Sequence, residues 1–417
     1  MDVDTHLRDA SMIDPKTFSG AFAIAGMGMV VGPNDGYVPG QSRLMLEAEA
    51  VRRAIEDAGL HREDIDGAIH VHGGPRSGDG ALEQADTYTR ILGLPVNFYY
   101  RGGRGGGEGT FGITLAATFL SLGAANYVVI SNSKTNWSRS QSRKRAGHRG
   151  QQAEVTPEGR WGYAFGETSA VGAHSFFATR HMARYGTTSE QLGSIAVQAR
   201  QWANLNPLAR MYEKPMSMDD YLNSPVYVWP YHLNDMCVSS DGAIAIVLTT
   251  TERARDLAKS PVLVLGVGFG DATGELWWEK TNYERLAVST AKRTAFGMAG
   301  ITIEDVNVAQ FYDCFTGEVL MQLEDYGFCG KGEGGEYALE GNLGPGGKLP
   351  TLTSGGLLSA YHMADMTGIS ESVLQLREEA GPRQLNEPSI SLVTGHGGEA
   401  APSGMCSVHT TLLLGRE

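Results

Sequence analysis

Cysteine is scarce and poorly placed for the work cysteine usually does. The 417-residue chain has four, Cys237, Cys314, Cys329 and Cys406. None lies before residue 237 and none forms a Cys-x-x-Cys pair. That excludes a disulfide framework and a paired-thiol redox or zinc motif. Basic charge is also in short supply, with 34 Lys and Arg against 47 Asp and Glu. The net charge of −13 speaks against a nucleic-acid footprint. No apolar run approaches the ~18 residues that cross a bilayer. Residues 1–18 are polar and mixed in charge, without the apolar stretch or small-residue cleavage site of a secretory signal. These absences predict a cytoplasmic protein in reducing surroundings, with neither membrane nor nucleic acid as partner.

What is abundant is glycine, with 55 residues, clustered between apolar segments. That pattern suits an α/β protein with many short turns and close backbone approaches. The chain also repeats itself. Phe22-Ala-Ile-Ala-Gly26-Met-Gly28 is matched by Val262-Leu-Val-Leu-Gly266-Val-Gly268, and Ala50 to Ile69 by Ala291 to Gln310. The first match is shifted by 240 residues (Gly26 to Gly266) and the second by 241 (Gly59 to Gly300). Two ordered matches with nearly one shift indicate a duplicated unit.

Each copy reads as a strand ending in a Gly-x-Gly turn, an amphipathic helix, a left-handed glycine at the helix end (Gly59, Gly300) and a second strand. Further strands are expected at 125–131, 243–248 and 389–394, and helices at 113–122, 171–185 and 189–203. Thr188-x-x-Gln191 supplies a capping box for the last. Alternating strands and helices predict mainly parallel sheets. The expected organisation is an extension over 1–18, a first half over 19–255 and a second half over 256–417. A loop insertion over about 135–235 interrupts the first half.

Four stretches concentrate chemistry-bearing residues. Gly102-Gly-Arg104-Gly-Gly106-Gly-Glu108-Gly109 lacks the Gly-Lys-Ser/Thr of a phosphate loop. It reads as a tight strand-to-helix turn or as a helix N-terminus whose bare amides face an anion or oxyanion. Tyr312-Asp313-Cys314-Phe315 follows an apolar strand, at the carboxyl end where open α/β sheets bind ligands. Tyr312 there is either a proton-transfer group or a buried tyrosine with a satisfied hydroxyl. Gly355-Gly356 precede Ser359, Tyr361 and His362. Gly395-His396-Gly397-Gly398-Glu399 follows the strand at 389–394. Several such turns at strand ends and helix starts point to one convergent site. The densest basic run, Arg139, Arg143, Lys144, Arg145 and Arg149, is a candidate for the phosphates of CoA or else a solvated loop. Trp277 and Trp278 either line an acyl pocket or sit in the core.

The duplicated unit, Tyr312-Asp-Cys-Phe-Thr, Ser354-Gly-Gly-Leu-Leu-Ser-Ala-Tyr-His362 and Gly395-His-Gly-Gly together resemble the thiolase superfamily, in the branch near the sterol carrier protein-x thiolases. The resemblance covers about 20–415. It implies an α/β thiolase fold, two βαβαβ-type halves stacked as a five-layer α-β-α-β-α sandwich. The departures are as informative as the matches. The family's nucleophilic cysteine position falls on Gly106 and its second cysteine on Thr394, so neither sulfur is present. Thiolysis or Claisen condensation through an acyl-enzyme needs a thiolate there.

The pattern is similar to steroid side-chain-cleaving aldolases, which keep the thiolase fold and act on CoA thioesters. The resemblance implies retro-aldol cleavage of a β-hydroxyacyl-CoA, such as a steroid side-chain thioester, to a ketone and a short acyl-CoA such as propionyl-CoA. Tyr312 would accept the hydroxyl proton, and Tyr361 or His362 would protonate the thioester enolate. His396 or the glycine-turn amides would polarise the carbonyl. Asp313, Gly106, Glu108, Gly355, Gly356, Arg139 and Arg143 would contact substrate or CoA. No cofactor or metal is implied beyond the CoA of the substrate. A homodimer is implied, together with a separate OB-fold partner of the zinc-ribbon type in a heterotetramer. The competing readings are an acetyl-CoA acetyltransferase-like enzyme and a non-catalytic acyl-CoA or lipid carrier.

Overall fold

A computed structural model describes residues 17–32, 41–71, 87–103, 105–145, 170–271, 284–397 and 408–417. The expected extension therefore lies almost wholly outside the described residues, as do Arg149, Trp277, Trp278, Glu399 and Cys406. The same holds for the side chains of Arg143, Lys144 and Arg145.

The Gly-x-Gly pairs are not turns. Strand β1, Phe22–Val31, runs straight through Gly26 and Gly28. A Cβ on either glycine would overlap the carbonyl of Ala54 or Ala50 in the helix Arg43–Asp57. In the second copy, Gly266 and Gly268 of β8 (Val262–Asp271) face the carbonyls of Ala295 and Ala291 in the helix Val288–Ala299 in the same way. The glycines let a helix backbone lie directly on a strand, and the contact recurs with the sequence shift. Gly59 and Gly300 do occupy left-handed positions at φ 73° and 69°.

The remaining strands are β2 (Gly67–His70), β3 (Phe98–Arg101), β4 (Val128–Thr135), β5 (Val226–Val228), β6 (Tyr231–His232), β7 (Asp241–Thr250), β9 (Val308–Gln310), β10 (Ile390–Gly397) and β11 (Val408–Arg416). Of the eleven strands among the described residues, nine hydrogen-bond in the order β3-β2-β4-β7-β1-β8-β11-β10-β9, while β5 and β6 pair separately. The order is mirrored about the β1–β8 contact, which is only two residue pairs long, Ala23↔Leu263 and Ile24↔Val262. Each side of that contact is one copy of the repeat.

The expectation of mainly parallel pairing is corrected. Only β2–β3, β2–β4 and β9–β10 are parallel. The strands β7 and β11 run antiparallel to both neighbours. β10 ends at Gly397 and β11 begins at Val408, a connection shorter than the crossover of about a dozen or more residues that parallel neighbours need. β7 holds the equivalent place in the first half.

Five layers result. The helices Glu108–Ser121 and Met366–Leu376 fill the middle. Their Ile113, Ala117, Ile369 and Val373 share one core with Ile69, Ile130 and Ile246 of the first half-sheet and Val264, Val393 and Leu412 of the second. The helix Arg43–Asp57 covers the outside of the first half-sheet through Val51 and Ile55. The helices Val288–Ala299 and Thr316–Tyr326 cover the second through Phe296, Val319 and Leu323. The region expected to be a loop insertion carries the helices Ala170–Tyr185 and Ser189–Ala203. Their Phe177, Leu192, Ile195 and Ala199 pack in the second half's core. The insertion thus crosses from one copy onto the other. Among the described residues no helix is long and apolar enough to cross a membrane.

Candidate active site

Tyr312 stands just past the carboxyl end of β9. Its N–H donates to Thr394 Oγ1 at 2.8 Å and its carbonyl accepts from Gln322 Nε2 at 2.9 Å. Thr394 in turn donates to Gln322 Oε1 at 2.5 Å. The threonine at the resemblance's second cysteine position is therefore committed to holding the Tyr312 backbone. The Tyr312 ring lies over Gly106, where a Cβ would overlap both the ring and the His396 carbonyl. The Gly106 amide donates to that carbonyl at 3.1 Å, and its own carbonyl accepts from the Asp365 amide at 3.1 Å. The space a side chain would take at Gly106, the position the resemblance gives to the nucleophilic cysteine, is thus filled by the neighbouring phenol.

The helix N-terminus after the glycine turn is not bare. Asp365 accepts from the amides of Gly109 and Thr110 at 2.7 and 2.8 Å and from the Thr110 hydroxyl at 2.9 Å. The anion expected at this dipole is the protein's own carboxylate. Glu108 is buried beside it, with Oε2 accepting from Asn132 Nδ2 at 2.7 Å. Burial pushes the Asp365 carboxyl up to about 7 against the pull of those hydrogen bonds.

Asp313 has an internal task too. It accepts from the amides of Leu357 and Leu358 at 2.9 and 3.0 Å, capping the turn Gly356–Ala360. Gly355 and Gly356 enter that turn at φ 98° and 61°. Gly356 carries no Cβ because one would overlap the Asp313 carboxylate. These three residues shape the wall, and each Asp313 oxygen accepts from a backbone amide. Burial raises its carboxyl to about 7.

Tyr361 and His362 part company here. Tyr361 is extended, at φ −155° and ψ 151°, and successive side chains of an extended chain point to opposite sides. Tyr361 is 1% exposed and packs in the central core, near Ser370, Glu371 and Arg383. Burial raises its hydroxyl further above the usual phenol range. His362 turns the other way, to Tyr312. The two rings stand perpendicular with centroids 6.2 Å apart. The His362 amide donates to Ser240 Oγ at 2.6 Å, and Nδ1 lies 3.2 Å from Lys134 Nζ. Burial and then the Lys134 charge hold His362 well below the ordinary histidine value. Burial lowers Lys134 as well, opposed by Glu108, Cys237 and Asp365.

His396 is fully enclosed, its ring 5.7 Å from those of both His174 and His409. His174 Nδ1 is hydrogen-bonded to Glu318, and with Cys314 these two form a buried trio whose ligand-type atoms lie within 4.8 Å of one another. Arg139 sits exposed on the helix Asn136–Arg145, so the first part of the basic run is helical rather than a loop. Two cysteines are poor nucleophiles, since burial pushes Cys237 and Cys329 up to about 12. Beside the turn, Gly107, Phe111, Phe269, Val408 and Thr410 line a largely apolar cleft of about 170 Å³.

Lys134, Asp365, Ser240 and the His174–Glu318 pair are the residues that sequence reasoning missed. For Lys134 a signal existed. Ser131-Asn-Ser-Lys134-Thr135 is a polar run closing an otherwise apolar strand, at the end where ligands bind.

Comparison with known proteins follows the same lines. Residues 273–416 match the family described as thiolase C-terminal domain-like. The chain is 34% identical over 395 residues to a steroid side-chain-cleaving aldolase of Thermomonospora curvata, covering 91% of this chain and 96% of that one. It is 33% identical to the 17-hydroxy-3-oxo-4-pregnene-20-carboxyl-CoA lyase of Mycobacterium tuberculosis, over 86% of this chain and 92% of the relative. The solved Ltp2-ChsH2(DUF35) aldolase superposes with a TM-score of 0.81 at 32% identity, over 96% and 98% of the two chains. An acetyl-CoA acetyltransferase from Syntrophomonas wolfei, 16% identical with a TM-score of 0.64, shares the fold.

Proposed function

The chain belongs to the thiolase superfamily, in its branch of steroid side-chain-cleaving aldolases, and from that premise we propose a retro-aldol lyase acting on a β-hydroxyacyl-CoA whose acyl group is a steroid side chain. The observation that carries this reading is the Tyr312 ring lying where a side chain on Gly106 would be. A carbon–carbon bond β to a thioester can be broken without a covalent intermediate, given a base at the hydroxyl and an acid at the α-carbon. Tyr312 and His362 are the two proton-transfer groups that face each other there.

In this reading Tyr312 takes the β-hydroxyl proton. The electrons of the O–H bond form the ketone carbonyl, and those of the Cα–Cβ bond pass into the thioester enolate. His362 then protonates the α-carbon, releasing a short acyl-CoA. Thr394 and Gln322 keep the Tyr312 backbone fixed, and Asp313 keeps the turn before His362 closed. The cleft beside Gly107 offers apolar surface to the acyl group. An acyltransferase mechanism finds no thiol at Gly106 or Thr394, and burial raises the thiols of Cys237 and Cys329 strongly.

The likeness to the Ltp2-ChsH2(DUF35) aldolase supports a second polypeptide, a DUF35-type protein of OB-fold build, working with this chain. A homodimer of this chain flanked by two such partners is the assembly we propose. The test is mass spectrometry of products from a panel of β-hydroxyacyl-CoA thioesters with that partner added. Equal amounts of ketone and shortened acyl-CoA are expected. Release of free CoA with an acyl-enzyme, or binding without turnover, would refute the lyase.

A further inference from the structure

Lys134 closes β4 and His362 follows the Gly356–Ala360 turn. They are 228 residues apart in sequence, yet Lys134 Nζ lies 3.2 Å from His362 Nδ1. An ammonium has three donors and no lone pair. Paired with it, Nδ1 must be the acceptor, so the ring proton sits on Nε2. Nε2 is then the nitrogen left for a substrate, and it carries the hydrogen an acid needs. The groups around the pair are Tyr312 across the ring, Glu108, Asp365 and Cys237 around the ammonium, the Ser240 hydroxyl on the His362 amide, and the Ala364 amide, which also donates to Nδ1 at a longer 3.5 Å.

We propose that Lys134 is a positioning residue and proton reservoir for the reaction, acting through His362. Its role rests on the retro-aldol reading of the site. A neutral imidazole that gives up Nε2–H alone becomes an imidazolate, which is prohibitively basic. A relay avoids that. As the α-carbon takes the proton from Nε2, Nδ1 takes one from the Lys134 ammonium, while the β-hydroxyl proton goes to the Tyr312 phenolate. The products are ketone and acyl-CoA. Tyr312 is left as phenol, His362 neutral with its hydrogen on Nδ1, and Lys134 as free amine. No proton is gained or lost overall. Returning one proton from Tyr312 to Lys134 and restoring the histidine tautomer resets the site. Burial of Lys134 assists by making its proton easier to release.

The test combines a spectroscopic and a kinetic arm on the full chain with its partner protein. In ¹⁵N-histidine NMR, with the His362 signals assigned by their loss in His362→Gln, the wild type is expected to show the Nε2–H tautomer. Lys134→Met leaves only the longer Ala364 amide contact on Nδ1, so it should lower the share of the Nε2–H tautomer and raise the pH at which His362 ionises. An unchanged tautomer and titration would overturn the pairing. In steady-state kinetics, Lys134→Met and Lys134→Arg should each lose about 10²-fold or more in kcat, with KM shifted by less than about threefold. Arginine can hold Nδ1 but does not give up its proton, so a fully active Lys134→Arg enzyme would overturn the relay. Unchanged melting curves would exclude misfolding. If wild-type protein cleaves no β-hydroxyacyl-CoA, the lyase reading fails, and the NMR arm still judges the Lys134–His362 pair.

Discussion

The ring of Tyr312 and the bare α-carbon of Gly106 occupy one another's space. A side chain on Gly106 would overlap the phenol and the His396 carbonyl behind it. A side chain at Gly106 and the Tyr312 ring in this place are therefore sterically exclusive. Gly106→Ala should displace the ring, destabilise the fold by about 1–3 kcal/mol through overpacking, and cut lyase activity at least about 10²-fold. Gly106→Cys should behave the same way and gain no thiolase activity. Thiolysis by that variant would show that sulfur and phenol coexist there. The measurements are a denaturant midpoint and product analysis.

The opposed directions of Tyr361 and His362 separate the two candidate acids. Tyr361→Phe removes a hydroxyl buried beside Ser370, Glu371 and Arg383, so activity should fall less than about threefold. His362→Gln should lose about 10²–10⁴-fold in kcat and fold normally. Tyr312→Phe should match it. A reversed ranking of the Tyr361 and His362 variants in single-turnover assays would move the acid to the core side of this extended segment.

Much of this arrangement was readable in the sequence, and the failures have physical causes. The duplication showed because helix backbones lie on Gly26, Gly28, Gly266 and Gly268, which admits no other residue. The same glycines suggested turns because a turn and a close approach leave one signature. The stretches around Tyr312, Gly355-Gly356 and His396 do converge. Which of Tyr361 and His362 faces the site depends on backbone angles that composition does not encode. Asp365 was missed because the amides it caps are about 255 residues away, and Lys134 because its partner is nearly as distant. Strand direction failed at β7 and β11, because alternation of strands with helices does not say where a strand inserts.

Asp365 gives a pH signature. Burial holds its carboxyl near 7, above the ordinary value of 3.8. An acid raised in the folded state binds its proton more tightly there than in the unfolded chain. Its contribution is therefore largest below about pH 4, falls as pH rises toward 7, and is gone above that. Asp313, also near 7, adds the same trend. Asp365→Asn should be less stable overall, since an amide offers Gly109 and Thr110 a poorer acceptor, by about 1–3 kcal/mol. Its stability should also decline less steeply than that of wild type between pH 5 and 7. Urea midpoints across that range measure the difference. Parallel profiles would mean that Asp365 is ionised throughout.

The cysteines supply the last discrimination. Alkylation follows the thiolate, not the thiol. With burial holding Cys237 and Cys329 near 12, about one thiol in 10⁴ is ionised at pH 8. Iodoacetamide should label them far more slowly than a free thiol. Cys314 is 6% exposed, in the same apolar cluster as Tyr312, and the reagent must displace packed side chains to reach it. Lyase activity should therefore survive an exposure that silences a thiolase whose nucleophile is a free thiolate. Mass spectrometry of the treated protein ties residual activity to the label at each cysteine. Activity that falls in step with modification of one cysteine, or a thioester adduct trapped from substrate at any of the four, would return sulfur to the reaction and remove Tyr312 from its place as the base.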